Sequence, residues 1–88
     1  MGLETLELMM DIEDNFEIRI TDDDAAAAVT IDQVCDLILL CIERQHNGRT
    51  HVKSEIFNWL ADLLAREYKI PLSAITPKAE LIKDLGLG

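Results

Sequence analysis

Apolar residues recur at three- and four-residue spacing in three separate stretches of this chain. Nowhere do they alternate long enough to mark a strand. Leu3, Leu6, Met9, Met10, Ile12 and Phe16 form the first stripe and predict an amphipathic helix over Gly2–Phe16, its other side carrying acids. Glu17-Ile18-Arg19-Ile20 reads as extended. Asp22-Asp23-Asp24 then opens a short alanine helix over about residues 23–28, because alanine has the best helix propensity. Thr30-Ile31-Asp32-Gln33 is a capping box leading a second long helix to Gln45, with Ile31, Val34, Cys35, Ile38, Cys41 and Ile42 inward. Asn47-Gly48 is the expected left-handed cap, and residues 47–51 the polar connector. Val52, Ile56, Leu60, Leu63, Leu64 and Tyr68 predict the third long helix, which Pro71 stops. Residues 69–88 remain as a long loop, with Ile70, Leu72, Ile75, Leu81, Ile82, Leu85 and Leu87 as its expected anchors. The expected fold is an all-α four-helix bundle, three long helices plus one short.

Composition narrows the class. At 88 residues the chain holds one domain, and 49% apolar residues exclude a disordered tail. The longest apolar run is Leu37–Ile42, far below the ~20 residues that a membrane helix needs. No basic segment precedes an apolar stretch at the N-terminus, so no secretory leader is expected. Leu6 stands where a myristoylation motif needs Ser or Thr. Acids outnumber bases 17 to 8, a net charge of −9, which argues against nucleic acid and against an anionic membrane surface. Residues 1–24 hold nine of the acids and only one base, Arg19. Such a field either keeps a helix face solvated or steers basic partners to it.

The constellations that catalysis requires are missing, so no enzyme is expected. H-E-x-x-H and G-x-S-x-G do not occur, and Thr5, Ser54 and Ser73 have no base at a recognisable spacing. A calcium loop at Asp22-Asp23-Asp24 fails, because Ala27 and Gln33 stand where glycine and glutamate are needed. Cys35 and Cys41 are six apart on a helix, a rotation of about 600° that turns them away from each other. Core packing in a reducing cytosol is the expected role of both thiols, so the expected location is cytoplasmic.

Read together, the two ends carry a motif. The chain closes on Asp84-Leu85-Gly86-Leu87-Gly88 and, after Met1, opens on Gly2-Leu3-Glu4-Thr5-Leu6-Glu7-Leu8. Joined, they resemble the acyl carrier protein motif D-L-G-x-D-S-L-x-x-x-E-L, with glycines in place of its Asp-Ser. Leu3 to Ile20 resembles that family's second helix and following loop, Asp22 to Ala28 its third, and Thr30 to Gln45 its fourth. Val52 to Gly86 resembles its first helix and long first loop. The resemblance covers nearly the whole of one domain, residues 1–88, in cyclic order: 1–46 for helices two to four, 47–51 as connector, 52–88 for helix one and its loop. It implies a circularly permuted carrier, cut inside its prosthetic-group motif, as expected of an engineered chain.

The resemblance also implies a site. In the family, a serine at the head of the second helix carries 4′-phosphopantetheine. Gly2 takes that serine's position and Gly88 that of the preceding aspartate, so no cofactor is expected on this chain. Glu4, Glu7, Asp11, Glu13 and Asp14 match the acids that family carriers present to basic surfaces of synthases and acyl transferases. Leu6, Leu8, Met10, Ile20, Ala26 and Leu39 would line the acyl pocket. The resemblance is compatible with a monomer or a helix-swapped dimer. The alternative is an acidic helical interaction module that binds a basic partner and is not a carrier.

Overall fold

The computed structural model describes residues 3–46 and 51–87. Four helices follow one another: α1 (Leu3–Phe16), α2 (Asp22–Ala27), α3 (Ile31–Gln45) and α4 (Lys53–Glu67), then a single 3-10 turn at Leu72–Ala74. The described residues contain no strand, only an isolated antiparallel bridge between Thr30 and Glu80. The fold is therefore all-α, three long helices and one short.

Local chemistry starts and stops these helices. The Thr21 hydroxyl accepts the Asp24 amide at 3.1 Å, and three aspartates occupy the first turn of α2, where the helix dipole favours negative charge. Both halves of the Thr30–Gln33 capping box are made, and Gln33 Oε1 also accepts the Val29 amide at 2.9 Å. α1 and α4 end alike. Glu17 (φ 55°) and Lys69 (φ 59°) take the left-handed conformation, and a buried isoleucine follows each. The Ile18 amide donates to the Glu13 carbonyl and the Ile70 amide to the Leu64 carbonyl, satisfying groups that a helix end would otherwise leave open.

The core runs between α1, α3 and α4. Leu8 and Ile12 of α1 meet Ile31, Val34, Cys35 and Ile38 of α3 and Ile56, Leu60 and Leu64 of α4, all fully or almost fully buried. Phe16 and Trp59 close one end edge-to-face, with ring centroids 4.9 Å apart. α3 and α4 are also joined at the surface, where Lys53 Nζ lies 2.6 Å from Asp32 and 2.9 Å from Asp36. These carboxylates hold the Lys53 ammonium protonated above its usual range, but exposed pairs of this kind add little stability.

The long C-terminal segment is tied to the head of α3. The Ile31 amide donates to the Ala79 carbonyl, the Asp32 amide to the Pro77 carbonyl and the Leu81 amide to the Val29 carbonyl. Two of these are first-turn amides with no partner inside their own helix. Ile70, Ile75, Leu81 and Leu87 are buried as expected and Leu85 is half-buried, while Ala79 adds an anchor that its small size concealed.

Several expectations need correction. The inner side of α1 is Thr5, Leu8, Met9 and Ile12, not the stripe through Leu3, Leu6 and Met10. At 100° per residue those three fall opposite Leu8 and Ile12 and point to solvent. Val52, Leu72 and Ile82 are likewise exposed, because neither the start of α4 nor the loop crowns face the core there. α2 begins one residue earlier than expected, where Thr21 caps it. The Asn47-Gly48 cap lies outside the described residues. No described helix is long and apolar enough to cross a membrane.

Candidate functional site

The first described helix and the last described residues are in contact. The Thr5 hydroxyl, one turn into α1, donates to the Leu87 carbonyl at 3.1 Å, and both residues are buried. Leu87 reaches α1 through a tight turn. The Glu80 amide donates to Asp84 Oδ2 at 2.8 Å, the Gly86 amide to the Ile82 carbonyl and the Leu87 amide to the Leu81 carbonyl. Gly86 has φ +70°, a conformation that a Cβ would strain even with open space around it. Gly2 and Gly88 lie outside the described residues, so the positions matched to the family's serine and aspartate are not described.

Beside this junction lies a groove of about 300 Å³. Ala25, Ala26, Ala28, Val29, Leu81 and Ile82 give it an apolar lining, with Thr5, Glu80 and Lys83 as its polar members. Of the six residues expected to line an acyl pocket, only Ala26 belongs to this groove. Leu8 is wholly buried in the core, Leu6 and Met10 are exposed, and Ile20 and Leu39 pack half-buried against the core. The rotation of α1 separates them: Leu8 points inward and Leu6 and Met10 outward, so one cavity cannot collect all three. Leu81, Ile82 and Val29 were missed as groove residues, because their contribution depends on the C-terminal loop reaching α2.

The outward side of α1 combines charge and apolar surface. Leu3, Leu6 and Met10 are 69%, 44% and 54% exposed, and Glu4, Glu7, Asp11 and Asp14 are exposed on the same helix. Two of the five acids singled out in the sequence also have intramolecular partners. Glu13 is half-buried and accepts the Ile20 amide at 2.9 Å, bracing the turn after α1. Asp11 accepts the Tyr68 hydroxyl at 3.2 Å. Burial, then the Asp11 carboxylate, pushes the Tyr68 phenol up to about 12. None of the ion pairs among the described residues involves an acid of residues 1–24.

The remaining chemistry is quiet. No group of three or more His, Cys, Asp or Glu among the described residues is arranged to hold a metal ion. Burial raises the Cys35 thiol to about 11 and also raises that of Cys41, so both stay protonated and unreactive near neutrality. Gly2 has no side-chain oxygen, and the Thr5 hydroxyl is buried and bonded to the Leu87 carbonyl. No protein-family model, curated protein or solved structure matches the chain.

Proposed function

We infer that the chain is an acyl-carrier-type scaffold with circularly permuted helix order, lacking the serine that would carry the prosthetic group. It is a binding module and not an enzyme, working in the cytoplasm. The observation that carries this reading is the Thr5–Leu87 hydrogen bond. It ties together the two ends whose sequences, joined, resemble one carrier motif. The order of helices supports it as well, since the short α2 falls between two long ones, as the cyclic resemblance requires.

In this reading the α1 face is the working surface. Glu4, Glu7 and Asp14 steer a basic surface of a synthase or acyl transferase towards the helix, and Leu3, Leu6 and Met10 supply the apolar contact that holds it. Asp11 and Glu13 contribute charge while also serving the fold.

Restoring the missing chemistry tests the reading. Met1 is removed, the two ends are joined head to tail with Gly88→Asp and Gly2→Ser, and the ring is reopened in the 47–51 connector. Incubation with coenzyme A and a broad-specificity phosphopantetheinyl transferase should then add one phosphopantetheine to the new serine, detected by mass. The unaltered chain should gain none. A folded, rejoined protein that is never modified overturns the carrier reading and leaves the acidic interaction module in its place.

A further inference from the structure

A second groove lies between α2 and α3. Ala27, Ala28, Leu37 and Leu40 give it an apolar floor, Gln33 is polar, and Asp24 and Asp36 supply carboxylates; it encloses about 250 Å³. Leu40 is 42% exposed, and Val29, next to Ala28, is 45% exposed. Leu40 follows Ile38 by two residues, a rotation of about 200°, so it belongs to the outer side of α3 and cannot reach the core. Asp22, Asp23 and Asp24 form the exposed first turn of α2, and no ion pair among the described residues engages any of them. Asp36 is held by Lys53, so Asp24 is the groove's other carboxylate, with Asp22 and Asp23 beside it in the same exposed first turn of α2.

We propose that the α2–α3 groove docks a leucine-bearing helix rich in lysine and arginine, presented by a partner protein. Charge selects this occupant. A second copy of the chain would bring a net charge of −9 against the three aspartates, and an anionic bilayer would be repelled in the same way. A basic amphipathic helix answers both features of the groove. Its leucine covers Leu37 and Leu40, Ala27 and Ala28 allow the two backbones close approach, and its cations meet Asp24 at the groove and Asp22 and Asp23 on the adjoining turn. The proposal stands apart from the carrier reading, because it uses none of the residues on the α1 face.

The test uses the full chain, labelled with nitrogen-15, and a synthetic amphipathic peptide of leucine and lysine as the probe. Amide shifts are expected to concentrate at residues 24–28 and 33–40. Leu40→Glu should weaken the peptide by about tenfold or more, since it replaces a buried leucine contact with a desolvated carboxylate. Leu40→Ala should weaken it in the same direction and keeps the test open if circular dichroism finds the glutamate variant unfolded. Leu72→Glu, in the exposed 3-10 turn and in neither groove, should leave the affinity unchanged. Shifts centred on α1, with Leu40 variants binding as the parent does, would overturn the proposal. So would a lysine-only peptide that binds equally well at the same amides, because charge alone would then explain the attraction.

Discussion

The Thr5 hydroxyl donates to the Leu87 carbonyl across 82 positions of sequence, and this bond fastens the end of the chain to its first helix. Thr5→Val keeps the side-chain shape and removes the donor. The buried carbonyl is left without its partner, a cost of about 1–3 kcal/mol. In a domain of ordinary stability, about 5–15 kcal/mol, that is a visible drop in the urea midpoint. An unchanged midpoint would mean that the Leu87 carbonyl finds another donor and that Thr5 does not fasten the end.

The acids of residues 1–24 have no ion-pair partner among the described residues, and most of them face solvent. Their mutual repulsion opposes the folded state and is screened by salt. The melting temperature is therefore expected to rise as sodium chloride is added from low ionic strength, and more steeply with a divalent cation. A flat or falling melting curve would show that repulsion among these acids does not limit stability.

Tyr68 is the only tyrosine in the chain, so tyrosinate absorbance reports it directly. In the folded protein its midpoint should lie near 12, against about 10 in denaturant. The sign follows from which form the fold prefers. The neutral phenol is favoured, so its contribution is complete below pH ~10 and is lost as the pH rises towards 12. Tyr68→Phe should flatten stability against pH across that window. A folded-state midpoint at the denatured value would remove both the burial and the Asp11 contact as causes.

Lys69 holds φ at 59° immediately before buried Ile70. A lysine Cβ is strained there and glycine is not, so Lys69→Gly should stabilise the protein by about 1 kcal/mol. Chemical denaturation measures it. The same exchange at Glu17, with φ 55°, should act in the same direction. A loss of stability at both sites would mean that glycine's greater freedom in the unfolded chain outweighs the relief of strain.

What the sequence determined by itself was local. The Thr30–Gln33 box, the aspartates ahead of four alanines and Pro71 after the last helix act within a turn or two of chain, so helix starts, stops and order could be read directly. The acids on the outer side of α1 were legible for the same reason, since helical spacing alone puts Glu4, Glu7 and Asp14 there. The rotation of α1 was not legible. Apolar residues stand on both of its sides, and only packing against α3 and α4 decides that Leu8 and Ile12 go in while Leu3, Leu6 and Met10 stay out. Thr5 is the clearest case. Nothing in its neighbours along the chain marks it for burial, yet it is buried and donates to an acceptor from the other end of the described chain. The groove beside it belongs to tertiary structure in the same way. Val29, Leu81 and Ile82 become its walls only once the C-terminal loop has supplied the acceptors that the first amides of α3 lack.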